Sequence, residues 1–203
     1  MNNALALSLF ALVASVTPGP NNLMLLASGT NYGFRRTIPH LLGVNLGFTL
    51  MLVLVGTGVM QVFRVFPPAF LVLKVLAFGY LLYLAYRVAT AEPGFDSTES
   101  ADTERRPFSF IEAVLFQWVN PKAWTMALTA NTTFVDEPGS VKGLAVLALV
   151  FAAMNLPAIS LWAVTGVYIR KLLARPVFAR TFNVVAALLL LCSLYPMIIA
   201  SAF

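Results

Sequence analysis

The sequence predicts an all-α membrane protein: six transmembrane helices forming two inverted three-helix repeats, with spans 1 and 4 broken at proline motifs. Three observations lead there. Of the 203 residues, 60% are hydrophobic and 10% charged, with a mean hydropathy of +0.85, whereas a soluble domain carries about 25% charge. The apolar residues gather into runs long enough to cross a hydrocarbon core, which takes about 20 helical residues. Features of the first half also recur, in the same order, in the second.

Span 1 covers residues 4–28. In its middle stands Thr17-Pro18-Gly19-Pro20-Asn21-Asn22, which would end an ordinary helix. Apolar residues resume at Leu23, so the run reads as one broken span. No basic segment or small-residue cleavage pattern precedes it, so it is expected to be a retained span and not a signal peptide. A basic loop at residues 31–37, with Arg35 and Arg36, leads to span 2 at residues 39–63. Its Gly43, Gly47, Gly56 and Gly58 suit close helix approach. Pro67-Pro68 opens span 3, residues 69–86.

Residues 90–107 are rich in charge, Ser, Thr and Pro, and read as a hydrophilic cytoplasmic linker. Span 4 runs from Phe108 to Phe134 and is broken at Gln117-Trp118-Val119-Asn120-Pro121-Lys122. The turn Asp136-Glu137-Pro138-Gly139 follows. Span 5, residues 142–168, contains Asn155 and Pro157, and the basic loop of Arg170, Lys171, Arg175 and Arg180 precedes span 6 at residues 182–202. Residues 1–89 and 108–203 are thus the two repeats of one integrated membrane domain.

The internal likeness is specific. Thr57-Gly58-Val59 recurs as Thr165-Gly166-Val167, and Pro68-Ala69-Phe70 as Pro176-Val177-Phe178 at the same separation. Asn45-Leu46 corresponds to Asn155-Leu156, and Pro18 to Pro121. An odd number of spans per half makes the second half enter the membrane inverted, as in many secondary transporters, whose binding sites lie at the midplane beside discontinuous helices. The loops after spans 1, 3 and 5 hold Arg35, Arg36, Arg87, Arg105, Arg106, Arg170, Lys171, Arg175 and Arg180, while the opposite loops hold Arg64 and Lys142. The first set belongs in the cytoplasm, which puts both termini outside it. Topology signalling also accounts for the net charge of +5, so no nucleic acid partner is expected.

The breaks are the candidate site. Asn120-Pro121 reads as an N-cap and first helical residue, and Thr17-Pro18 reads the same way. Each would start a half-helix inside the membrane with free N–H groups and the positive end of its dipole. Two such ends suit a small anion, an amino-acid carboxylate being the obvious one. The candidate substrate-binding residues are Pro18, Gly19, Pro20, Asn21, Asn22, Asn45, Gln117, Asn120, Pro121, Lys122 and Asn155. Lys122 at depth is costly unless paired or solvated, and could bind a carboxylate or shed a proton. Against these readings stand simple proline kinks, a snorkelling lysine and interhelical amide bonds. Lys74 and His40 lie close to span ends, where interfacial roles suffice, and Glu112 reads as an interfacial cap.

Other chemistries lack their residues. The chain has no phosphate loop and no H-E-x-x-H. One His and one Cys, Cys192, make neither a usual zinc site nor an intrachain disulfide. No carboxylate lies deep in a span, and no histidine base accompanies the buried Ser and Thr. No cofactor and no catalytic residue is expected. A membrane enzyme would need a reactive pair, and a non-transporting assembly or signalling subunit would need no polar cavity at the breaks.

Four motifs together resemble the LysE/RhtB family of amino-acid exporters: Thr17-Pro18-Gly19-Pro20-Asn21-Asn22, the Leu42-Gly43 to Gly47 pair, Gly79-Tyr80-Leu81, and Asn120-Pro121-Lys122-Ala123. The stretch from Thr17 to Phe48, with Phe116-Gln117-Trp118-Val119-Asn120 and Thr133-Phe134-Val135, is similar to that family's cysteine/O-acetylserine branch. The resemblance implies proton-driven efflux of a small neutral amino acid across a bacterial inner membrane. The partners expected are the amino acid or a derivative and membrane lipid, with a homo-oligomer left open.

Overall fold

The computed structural model describes residues 2–59, 65–66, 68–90, 106–137, 139–172 and 176–193. Among them are eight helices and no strand. Outside them lie residues 91–105 of the expected linker, 60–63 of span 2 and 194–202 of span 6, together with Arg64, Pro67, Arg105, Pro138 and Arg175.

The helices are α1 (Asn2–Val16), α2 (Pro20–Tyr32), α3 (Phe34–Gly56), α4 (Pro68–Ala89), α5 (Phe110–Val119), α6 (Pro121–Phe134), α7 (Val141–Leu172) and α8 (Pro176–Cys192). Helices α3, α4 and α7 are each long and apolar enough to cross a membrane, and α1 with α2 would make a further span, bent by 57° at the break. Helices α5 and α8 are apolar but shorter.

Several expected boundaries move. The basic loop at residues 31–37 is a single-residue turn. Gly33 at φ 80° is the only residue between α2 and α3, in the left-handed region that glycine enters without steric cost. Arg35 and Arg36 therefore lie in the first turn of α3, and span 2 begins before residue 39. Pro39 and Pro157 stay inside α3 and α7 without ending them. Helix α8 starts at Pro176, ahead of the expected residue 182, because proline suits a first helical turn.

Packing follows small residues. Helix α2 lies against α7, and a Cβ on Gly29 would meet Ala163 O at 2.1 Å while one on Gly166 would meet Leu26 O at 2.2 Å. Helix α3 lies against α5 with the same economy, a Cβ on Gly43 meeting Phe110 O at 2.4 Å. In lipid, where apolar burial drives little helix association, such close backbone approach is what holds helices together. Helix α3 also packs on α7, α1 on α7, and α4 on α8. The outward faces of α1 and α4 carry exposed Leu5, Leu9, Leu12, Leu71, Val75 and Leu76, as a lipid-facing surface should.

Two apolar clusters form the core. One contains Leu25, Leu41, Val44, Phe116 and Ile159. The other contains Leu7, Phe48, Met51, Ala127 and Phe151. A buried polar layer of Ser15, Asn22, Asn45, Gln117, Asn120 and Asn155 falls between them. In α3, α7 and both broken helix pairs, the polar residue separates one cluster's contributions from the other's along the chain.

Candidate functional site

Both breaks lie in this polar layer, but they are built differently. At the first, Thr17 N–H still donates to Val13 O at 3.1 Å and Thr17 Oγ1 to Ala14 O at 2.9 Å, so Thr17 closes α1. The N-cap of α2 is Gly19 and its first-turn proline is Pro20. The expected Thr17-Pro18 start is therefore corrected by two residues: a threonine still tied into the preceding helix cannot cap the next one. At the second break Asn120 is the N-cap and Pro121 the first residue of α6. Asn120 Oδ1 accepts from Lys122 N–H at 3.1 Å, and Asn120 O from Ala123 N–H at 3.0 Å.

The two N-terminal ends consequently differ. Side-chain capping satisfies the first free N–H of α6. Helix α2 has no side-chain cap. Its first backbone bond comes from Leu23 N–H to Gly19 O at 3.0 Å. The N–H groups of Asn21 and Asn22 find no acceptor among the described residues.

The opposite, carbonyl end of α1 is fully engaged. Asn22 Nδ2 donates to Ser15 O at 2.8 Å and to Thr17 O at 2.7 Å. Trp162 Nε1 donates to Val16 O at 3.0 Å. Lys122 Nζ donates to Thr17 O, to Thr17 Oγ1 at 2.9 Å and to Pro18 O at 3.5 Å. An ammonium at a helix C-terminus meets the negative end of the dipole. Lys122 Nζ is thus committed to the carbonyl end of α1, and a carboxylate would bind it in competition with Thr17. Gly19 makes room for this contact, since a Cβ there would meet Lys122 Cδ at 2.5 Å.

Cross-links tie the layer together. Asn21 Nδ2 donates to Gln117 Oε1 at 2.9 Å, and Gln117 Nε2 to Asn21 Oδ1 at 3.3 Å. Asn155 Nδ2 donates to Asn45 Oδ1 at 2.9 Å, joining α7 to α3.

A small cavity opens at this layer. Ala14, Ser15, Gly19, Asn21, Asn22, Val44, Phe48, Asn120, Lys122, Ala123, Met126, Asn155 and Ile159 line it. Six of the expected site residues, Gly19, Asn21, Asn22, Asn120, Lys122 and Asn155, are brought together here. Gln117 and Asn45 stand behind them as hydrogen-bond partners, while Pro18, Pro20 and Pro121 shape the breaks without lining the space. About 30 Å³ is open to water centres, room for roughly two or three waters. An amino acid is larger, so cargo would need this space to widen. No Asp or Glu lines it.

Sequence reasoning missed Ser15. Its side chain lines the cavity, the residue is 3% exposed, and Oγ has no hydrogen-bond partner among the described residues. A serine within an apolar run gave no sign of this. His40 is also corrected. It is 1% exposed, its ring tilted against that of Phe108 at 5.2 Å, and both ring nitrogens lack partners among the described residues. Glu112 does cap α5. It accepts from Ser109 N–H at 2.8 Å and closes a capping box, and Arg106 grips it through two bonds of 2.7 and 2.8 Å. Those bonds hold the Arg106 guanidinium above its ordinary value.

Relatives narrow the chemistry. The cysteine/O-acetylserine efflux protein of Escherichia coli O139:H28 (strain E24377A / ETEC) is 28% identical over 183 residues, covering 90% of this chain and 90% of that one. The proteins of the same name from Escherichia coli (strain K12) and Shigella flexneri serotype 5b (strain 8401) are each 29% identical over 182 residues, covering 89% of this chain and 90% of theirs. No solved structure matches. Residues 12–193 match the family model for the LysE type translocator, and the chain belongs to that family of integral membrane proteins.

Proposed function

We propose that this translocator is a secondary-active exporter that moves amino acids or close derivatives out of the cytoplasm by alternating access, driven by the proton gradient. Cargo of that class is supported by the cysteine/O-acetylserine efflux proteins it resembles. One observation carries the local chemistry. A broken helix has two new ends of opposite sign. The protein supplies its own cation, Lys122, to the carbonyl end of α1. Among the described residues none supplies an anion to the amide end of α2, where Asn21 and Asn22 N–H are unpaired beside a cavity without acidic residues. A cargo carboxylate completes that end, in the manner of anions at other helix N-termini. The substrate-binding set is then Gly19, Asn21, Asn22, Asn120 and Asn155, with Lys122 and Gln117 positioning them and Pro18, Pro20, Pro121 and Asn45 fixing the frame.

The six-span inverted repeat belongs to the same reading, with α5 and α6 as a second broken span and α8 as part of the last. Its support is the pattern of contacts. Exchanging the two halves maps the packing of span 1 on span 5 onto that of span 4 on span 2, and maps the α3–α7 and α4–α8 contacts onto themselves. Asn45 and Asn155, counterparts in the two halves, hydrogen-bond each other. Alternating access follows from two half-molecules able to exchange conformations. The basic-loop asymmetry orients the protein in an inner membrane with both termini outside the cytoplasm.

The test is efflux. Proteoliposomes loaded with labelled cysteine, serine or O-acetylserine should release label faster with the protein than without, and faster still under an imposed proton gradient. Absence of release for every amino acid tried would remove the exporter reading. Release insensitive to the gradient would remove proton coupling alone.

A further inference from the structure

The Ser15 hydroxyl is the one buried side-chain polar atom of the cavity wall left without a hydrogen-bond partner among the described residues. Its residue is 3% exposed. Leaving a buried hydroxyl unpaired costs about 1–3 kcal/mol, so its presence needs an explanation. Structure offers none: Oγ does not bond back to the preceding turn, as Ser8 Oγ does to Ala4 O at 2.9 Å and Thr17 Oγ1 to Ala14 O at 2.9 Å. Ser15 sits in the last turn of α1, at the negative end of that half-helix. Its own carbonyl holds the side chain of Asn22, whose backbone N–H is one of the two unpaired groups opening α2. The acceptor and the donors therefore flank one small space across the break.

We propose that Ser15 Oγ accepts a hydrogen bond from the α-ammonium of the cargo while its carboxylate lies on the Asn21 and Asn22 N–H groups. This rests on the exporter reading and adds a specificity residue to it. The unpartnered hydroxyl is an acceptor for one pole of a zwitterion, and the unpaired N–H groups are donors for the other. With no acidic residue lining the cavity, neutral oxygens must hold the ammonium. Lys122 lines the same space, but its charge is committed to Thr17 and Pro18. The site then selects a free α-amine over an acylated one.

The experiment measures binding of L-serine and N-acetyl-L-serine to the purified full-length protein in nanodiscs, together with the melting temperature without ligand. Native protein, Ser15→Ala and Ser15→Cys are compared. The expected result is that native protein prefers L-serine. Ser15→Ala should weaken L-serine about tenfold or more, the size of one hydrogen bond to a charged group. It should leave N-acetyl-L-serine unchanged and should not lower the ligand-free melting temperature. Ser15→Cys, of similar shape but a poorer acceptor, should fall between. If Ser15→Ala keeps both the affinity and the preference of native protein, the proposal is overturned while the exporter reading stands. If Ser15→Ala lowers the ligand-free melting temperature and weakens both ligands alike, Ser15 is structural and the proposal is overturned. Native protein that binds no amino acid at any concentration overturns both readings.

Discussion

Replacing Lys122 with methionine keeps the aliphatic stem and removes the ammonium, so it isolates the cap that Lys122 provides to α1. The native contacts are Thr17 O, Thr17 Oγ1 at 2.9 Å and Pro18 O at 3.5 Å. The last is too long to count for much. A hydrogen bond to a charged group contributes about 1.5–3 kcal/mol. Two effects reduce the loss. Thr17 O keeps its bond from Asn22 Nδ2 at 2.7 Å, and methionine removes the cost of desolvating a half-buried charge. A net destabilisation of about 1–3 kcal/mol remains, roughly 2–12 °C in melting temperature for a chain of this size. The assay is thermal unfolding in detergent or nanodiscs. Thr17→Val is measured alone and combined with Lys122→Met, and the two changes should couple by about 0.5–1.5 kcal/mol because they share one contact. In transport, Lys122→Met should lower the maximal rate and leave the half-saturating cargo concentration unchanged. Lys122→Met as stable as native protein, or singles that simply add, would refute the cap. A half-saturation constant raised tenfold at unchanged stability would make Lys122 a direct carboxylate ligand instead.

Other perturbations test neighbouring parts. Gly29→Val and Gly166→Val put a branched side chain where even a Cβ would strike backbone at 2.1 and 2.2 Å; both should abolish monodisperse protein in size-exclusion chromatography, while Gly79→Ala, with open space around it, should not. Asn45→Leu alone strands Asn155 and should cost about 1–3 kcal/mol in thermal unfolding, whereas Asn45→Leu with Asn155→Leu should recover part of that. Ser109→Ala removes the α5 cap and should lower stability by about 0.5–2 kcal/mol. His40→Leu breaks no hydrogen bond, so its melting temperature should equal or exceed the native value.

What could be read from the chain alone follows from where the signal resides. The helical class, the two breaks and the placing of Asn22, Asn45, Asn120 and Asn155, all buried, within or beside apolar runs come from apolar run length and polar interruption, which are local. Asn120 as a cap is equally local, because its side chain reaches only two residues ahead. Which proline begins α2 could not be chosen by residue preference. Thr17-Pro18 and Gly19-Pro20 are both acceptable starts, and the choice falls to Gly19 because Thr17 keeps its bonds to Val13 O and Ala14 O and so closes α1. Partner choice was hidden because it is long-range. Nothing near Lys122 in sequence says that its ammonium ends on Thr17, and nothing near His40 says that Phe108 covers it. The basic loop after span 1 failed on a different count. Two arginines suggested solvent, yet one glycine at positive φ turns the chain in a single residue and leaves them on the first turn of α3.

The asymmetry of the two breaks bears on how such a machine could cycle. Sequence likeness alone makes Pro18 and Pro121 equivalents and predicts two equal anion-binding ends. In the structure the α6 end carries its own cap, Asn120, and the α2 end carries none. Pseudo-symmetric halves in one conformation need not be alike; in alternating access their differences exchange between states. A free N-terminus on α2, beside a space too small for an amino acid, fits a resting conformation in which the unmatched dipole is what cargo supplies on entry. If that space widens by parting α1 from α6, the polar contact that spans them is Lys122 with Thr17, beside the Phe10–Phe134 ring pair. On that reading the lysine that completes one end of the break is also a bond that opening would stretch. Weakening it should raise the fraction of open protein even as it lowers stability. A thiol-reactive probe reports this directly: a cysteine placed at Ala123, buried on the cavity wall, should label faster in the Lys122→Met background than in the native one, and equal labelling would dissociate the cap from the gate.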